Sequence, residues 1–218
     1  MLNSIIAFIQ KKGRSNPLGS HSTLHFTMDP HWSARDYSAF AGSGYIKNVI
    51  AFRSISMIAN ALSSVTILLN RVSKNGNIPV LNHPLLTLLN SPNPNTSYSE
   101  FMEGIISYKL ISGNAYILMS ESGYSLPPKE LYLLRPDRVQ VIPGKNHLPD
   151  AYRYSINDRN YDFKVNKLTG RSSVLHLKSF HPLDDWCGLS PVEAAAYSIE
   201  QHNQAGAWNQ AMLQNGAR

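Results

Sequence analysis

The sequence predicts an α+β fold, with N-terminal helices, an antiparallel β meander and a long C-terminal helix. Three observations carry this reading. Apolar residues recur at helical spacing over 45–63, short β-rich runs follow one another from residue 131 to residue 179, and a capped stretch opens at Ser190 and meets no breaker before Gly206.

Residues 1–44 combine an amphipathic start (Leu2, Ile5, Ile6, Ile9) with a Gly-, Ser-, His- and Pro-rich run of low periodicity, the pattern of a flexible N-terminal arm. The folded body is expected to begin near Tyr45 and to continue as one domain over 45–218. Its first helix, over 45–63, carries Ile46, Val49, Ile50, Ile58, Ala61 and Leu62 on an apolar face. Val65, Ile67 and Leu69 then alternate with Thr66, Leu68 and Asn70. The period changes from helix to strand, and the strand is expected to end at Asn75-Gly76-Asn77.

A short helix over 84–89 is stopped by Asn90-Ser91-Pro92-Asn93-Pro94. Ser97 with Glu100 spells a capping box for a helix that runs to Ser112, with Gly113 as its stop. Strands follow at 115–120 and in the runs 131–136, 138–143, 151–156, 159–165 and 173–179. The turns Gly144-Lys145-Asn146, Asn157-Asp158 and Thr169-Gly170 suggest that consecutive strands pair.

The last element is a helix of about 26 residues, with Ser190 as N-cap, Pro191 at the first position and Glu193 completing a capping box. No Lys or Arg lies between Ser179 and Ala217, and the helix carries only Glu193 and Glu200 as charges. Val192, Ala195, Ala196, Ile199, Gly206 and Leu213 fall on one side; Ala194, Tyr197, Ala205, Trp208 and Met212 fall on the other. Two apolar seams imply contacts on two fronts, and Tyr197, Trp208 and Met212 are the candidate subunit interface. A helix buried centrally in one domain is the alternative reading of the same pattern.

Composition narrows the function. The net charge of +6 is spread along the chain, which speaks for solubility more than for a dedicated nucleic-acid grip. The single cysteine, Cys187, leaves no intrachain disulfide and no thiolate metal cage. The N-terminus does not read as a signal peptide, and no stretch approaches a membrane span. There is no Gly-x-Ser-x-Gly elbow, no Gly-x-Gly-x-x-Gly and no Walker A string. The eight histidines are scattered.

Two alternatives stay open at this point. His181, Asp184 and Asp185 have the ingredients of a metal-dependent phosphoryl-transfer site, although aspartates ahead of a helix are also explained by its dipole. Arg53, Arg71, Arg135 and Arg138 are the candidates for a nucleic-acid-binding module, although Arg135 and Arg138 bracket Asp137 in a way that suggests a local pair.

Five strings in order carry a further resemblance: Asn82-His83-Pro84-Leu85-Leu86 with Leu89-Asn90-Ser91-Pro92-Asn93; Gly113-Asn114-Ala115-Tyr116; Leu134-Arg135-Pro136-Asp137-Arg138-Val139; His176-Leu177-Lys178; and Gly188-Leu189-Ser190-Pro191 with Asn215-Gly216-Ala217. Together, over about 45–218, the sequence resembles the portal proteins of tailed double-stranded-DNA bacteriophages and prophages. Cys187 stands where that family suggests an aromatic residue.

The resemblance implies a wing-like α+β domain in a structural virion protein, with no catalytic residues, cofactor or metal. It implies a homo-oligomer, a dodecameric ring at the capsid vertex, through which DNA passes without sequence specificity during packaging and ejection. The implied partners are the terminase large subunit, the major capsid protein and head-tail connector proteins, with no membrane. The implied location is the virion, with assembly in the host cytoplasm. The family continues past the position of Arg218 into stem and clip helices, so the resemblance covers its N-terminal part and suggests a fragment or a truncated prophage product.

Overall fold

A computed structural model of the chain describes residues 37–74, 76–120, 128–144 and 148–216. Its first described element is helical: a turn at Tyr37–Ala39 runs into a π-helix, Phe40–Ile46. Phe40 is buried with Ile55, Ile111 and Val192, so packed structure starts ahead of Tyr45. The rest of the expected arm, residues 1–36, lies outside the described residues.

Helix α1, Val49–Ser63, begins after Asn48 and not at Tyr45. The Asn48 carboxamide oxygen accepts from the backbone N–H groups of Ile50 (3.1 Å) and Ala51 (2.9 Å), which fixes the helix start there. Its buried stripe is Ile55, Ala59 and Ser63, at i, i+4, i+8. The face expected to be buried points outward instead, with Val49 at 69% and Ile50 at 59% exposure. Helical spacing marks an apolar face, and the rest of the described chain packs on a different one.

Strand β1 is Asn70–Ser73 and β2 is Gly76–Pro79, an exposed antiparallel hairpin. The strand expected to run from Val65 to the Asn75-Gly76-Asn77 turn forms in its last part, Asn70–Ser73, where it pairs with β2 across the turn. Helix α2, Pro84–Asn90, is capped by His83 Nδ1 accepting from Leu85 N–H. Helix α3, Tyr98–Ser112, has both bonds of the Ser97/Glu100 box and closes on Gly113 in the left-handed region, φ 76°.

Strands β3 (Asn114–Ser120), β4 (Glu130–Leu134), β5 (Val139–Ile142), β6 (Ala151–Ile156), β7 (Arg159–Lys164) and β8 (Val174–Lys178) occupy the expected runs. They do not form one meander. One sheet has the order β4-β3-β8 and the other β5-β6-β7, both antiparallel, so β8 returns to pair with β3 and leaves β7 as an edge. Asn157 and Asp158, both at positive φ (47° and 60°), turn β6 into β7; these are residues that tolerate the left-handed region.

Strand β3 is the centre of three layers. Its alternation sends Ala115 and Ile117 toward α3, where Phe101, Ile105 and Leu131 close one core. Tyr116 points to the opposite face, into a second core with Leu134, Tyr152, Val165 and Val174 between the sheets.

Helix α4, Pro191–Ala194, and helix α5, Ala196–Gln214, end the described chain. The single long helix expected here is thus interrupted at Ala195 (φ −92°, ψ 1°).

Candidate functional site

The chemistry-bearing residues that the fold gathers lie where α3 ends, β3 begins, β8 ends and α4 starts. Gly113 and Gly188 meet there backbone to backbone. A Cβ on Gly113 would sit 2.2 Å from the Gly188 carbonyl oxygen, and one on Gly188 would sit 2.2 Å from the Gly113 oxygen and 2.5 Å from Ser179 N. No side chain fits on either, and Gly113 also needs its positive φ.

Asn114, 6% exposed, connects the pieces. Its Oδ1 accepts from Gly188 N–H at 2.7 Å and lies 2.9 Å from His176 Nε2, while its Nδ2 donates to the Ser112 carbonyl at 2.8 Å. His176 faces Tyr116 across the β3–β8 ladder, stacks on its ring at 4.3 Å, and meets the edge of Tyr152 from the second sheet at 5.8 Å. Burial, with Lys178 adding a smaller push, lowers the His176 pKa to about 4, so the imidazole is neutral at pH 7. Burial likewise raises the Tyr116 phenol and the Cys187 thiol, the latter also through Asp184.

Ser190 is fully buried and serves two helices at once. Its Oγ accepts from the N–H groups of Val192 (3.0 Å) and Glu193 (3.3 Å) at the start of α4. The same hydroxyl lies 2.7 Å from the Ile111 carbonyl and 3.0 Å from that of Leu110, at the end of α3 where carbonyls lack helical partners. Glu193 contributes its backbone N–H, and no return bond from its carboxylate closes a capping box among the described residues. The Ser190 hydroxyl is directed at α3, and that contact sets the cap geometry.

Beyond this junction, among the described residues, the terminal helix is tied to the body along its first half. Val192 is buried, Ala196 and Ile199 pack on the same cluster, and Asn203 Nδ2 donates to the Ser43 carbonyl at 2.9 Å. Asn48 Nδ2 reaches His202 Nδ1 (3.1 Å) and Asn203 Oδ1 (3.0 Å), which fixes the middle of α5 to the start of α1. Past Asn203 nearly every residue is exposed. The seam expected to end in Gly206 and Leu213 stops short, with Leu213 78% exposed. On the other seam Tyr197 (61%) and Trp208 (64%) face solvent, and Met212 is half-buried.

The other sequence candidates are accounted for locally. Asp184 Oδ1 accepts from Trp186 N–H (2.7 Å) and Cys187 N–H (3.1 Å). Burial opposes its ionisation, but those two bonds, with His181 and Lys178, hold its carboxyl below the usual carboxylate range. His181 Nδ1 accepts from Leu183 N–H, and Lys178 Nζ donates to the Asp185 carbonyl. Among the described residues no group of three His, Cys, Asp or Glu side chains has metal-binding geometry. Arg135 forms a two-pronged pair with Asp137 (3.1 and 2.8 Å), Arg53 sits on α1, Arg71 on β1, and Arg138 ends the short 3-10 turn ahead of β5. No described helix is long and apolar enough to cross a membrane.

Sequence reasoning passed over Asn48, and it named Asn114 and His176 within the strings that carry the resemblance without giving either a role. For His176 a signal existed: it is a polar residue at a strand position in register with Tyr116. For Asn48 and Asn114 the partners lie far along the chain, and nothing local announces them.

Comparison with known proteins agrees with this geometry. The model of the phage portal protein family matches residues 50–218. An uncharacterised protein of Rickettsia bellii is 37% identical over 174 residues, covering 80% of this chain and 44% of its own length. One of Rickettsia felis is 38% identical over the same span. Among solved structures, a chain in the neck of an empty gene transfer agent (GTA) particle computed with C6 symmetry superposes with a TM-score of 0.74 at 37% identity, covering 86% of this chain and 49% of that one. A chain in the neck of a native GTA particle computed with C12 symmetry gives 0.70 at 34% identity, covering 98% and 51%. The chain thus spans about half the length of the relatives it matches.

Proposed function

This chain belongs to the phage portal protein family, and from that premise we propose that it is a structural component of a portal ring in a phage-like particle. The ring is a homo-oligomer, dodecameric in its complete form, that encloses a channel for double-stranded DNA. It serves packaging, head-to-tail joining and ejection, with the terminase large subunit, the major capsid protein and connector proteins as partners. Its place is the particle's portal vertex, reached from the host cytoplasm, and it acts without a cofactor or catalysis of its own.

The observation that supports this reading best is the superposition on neck chains at 34–37% identity, which exceeds a likeness of fold alone. The junction at Asn114 and Ser190 suits a scaffold: its polar groups bind one another and hold two helices at a set angle. Electron microscopy of particles from the producing cells, with an antibody against this chain, tests the proposal. Label at the neck is expected. Particles that lack the chain altogether refute it.

A further inference from the structure

Helix α5 is joined to the start of α1 by side-chain hydrogen bonds whose direction the backbone fixes. The Asn48 carboxamide oxygen accepts from the Ile50 and Ala51 N–H groups, so the atom it turns toward α5 is Nδ2, which has two hydrogens to give. One goes to Asn203 Oδ1 at 3.0 Å, and Asn203 in turn donates from Nδ2 to the Ser43 carbonyl at 2.9 Å. The other goes to His202 Nδ1 at 3.1 Å. Turning the Asn48 amide over would set Nδ2 against the two N–H groups it caps, so His202 has one role open to it. Its Nδ1 accepts, which makes the ring neutral with its proton on Nε2.

A proton on Nδ1 and this bond exclude each other. With Nδ1–H facing Nδ2–H the ring has to turn away, and a donor on a side chain only 2% exposed loses its acceptor. His202 itself is exposed, so a proton reaches the ring from water without the body opening. The π-helix Phe40–Ile46 and α1 meet α5 here; they and the link between them carry Tyr45, Lys47 and Arg53, and α5 itself carries Glu200. Tyr45 is engaged with Ser56 Oγ at 3.3 Å. The cations Lys47 and Arg53 offer a charged ring no anchor, and Glu200, two residues back along α5, faces another direction.

We propose that His202 is a proton-sensitive latch: neutral, it holds the middle of α5 on the cap of α1, and protonated it slackens that hold. The hold is complete on the alkaline side and is lost as the pH falls. Asn203 and the packing of Ile199 stay in place, so the helix is loosened and not released. The latch goes beyond the portal reading and needs residues of one chain alone.

Native-state hydrogen exchange on the 218-residue protein is the test. Protection over 199–214, corrected for intrinsic exchange rates, is expressed relative to the amides of α3, a ratio that cancels global unfolding and with it the contribution of His176. Between about pH 7.5 and about pH 5, the span in which histidines change charge, the ratio is expected to fall about tenfold. His202→Asn places a carboxamide oxygen where Nδ1 stands, an acceptor that does not titrate, and is expected to keep the high ratio at both pH values. His202→Ala has no acceptor and is expected to show the low ratio at both. Nitrogen NMR of the histidine rings in the parent is expected to show His202 with its proton on Nε2 at the upper pH.

A parent ratio that does not change with pH overturns the latch, and so does an Nδ1–H tautomer at the upper pH. A response that survives in His202→Ala belongs to another group and overturns it equally.

Discussion

Replacing Asn114 by alanine removes the bonds that tie β3, β8 and the start of α4 together. Gly188 N–H, now 2.7 Å from its acceptor, is left buried without one, and His176 Nε2 and the Ser112 carbonyl each lose a partner at 2.9 and 2.8 Å. An orphaned buried donor costs about 1–3 kcal/mol and each lost bond about 1 kcal/mol, so the total is about 3–5 kcal/mol. That is a large part of the roughly 5–15 kcal/mol that stabilises a typical domain. With a urea slope of about 2 kcal/mol per molar, the unfolding midpoint falls by about 2 M while the slope is kept. The assay is urea unfolding followed by circular dichroism. Asn114→Asp keeps an acceptor for Gly188 and is expected to lose less at pH 6, where the new carboxylate favours a charged His176. An Asn114→Ala variant with the parent's midpoint refutes the idea that this side chain holds the junction.

His176 sets a pH dependence. Its pKa is about 4 when folded and near 6.5 when free, so the unfolded chain binds the proton first. Stability is therefore full above pH 6.5 and falls as the pH drops toward 4, by at most about 3 kcal/mol; His176→Phe is expected to flatten the midpoint-versus-pH curve in that window. Gly188→Ala drives a Cβ into the backbone of Gly113 and Ser179, and thermal unfolding is expected to show a loss of about 1–3 kcal/mol. Ser190→Ala removes the α4 cap and one contact to the end of α3, for about 2 kcal/mol in denaturant titrations. Asn48→Ala frees the middle of α5 as well as the start of α1, and hydrogen exchange is expected to rise selectively over 199–214.

What was legible in the sequence is what neighbours in the chain decide. Ser97 and Glu100 are three residues apart, and Asn157-Asp158 sit in one turn, so the α3 cap and the β6–β7 hairpin follow from local bonding. Strand positions from β3 to β8 follow likewise from alternation. The α+β class and the family likeness rest on these short-range signals. For the junction, the strings around Gly113, His176 and Gly188 were visible, but not that they touch.

Tertiary structure decided the rest, because period and propensity say that a face is apolar without saying what meets it. Only folding pairs β8 with β3, brings Gly188 against Gly113 across the chain, and turns Ile55 and Ala59 inward while leaving Val49 and Ile50 in water. It also set how far the body supports α5. Up to Asn203 the body supplies partners for the helix; beyond it the same amphipathic pattern continues with nearly every described residue exposed. A helical repeat is written residue by residue, whereas its covering depends on groups that are distant in sequence.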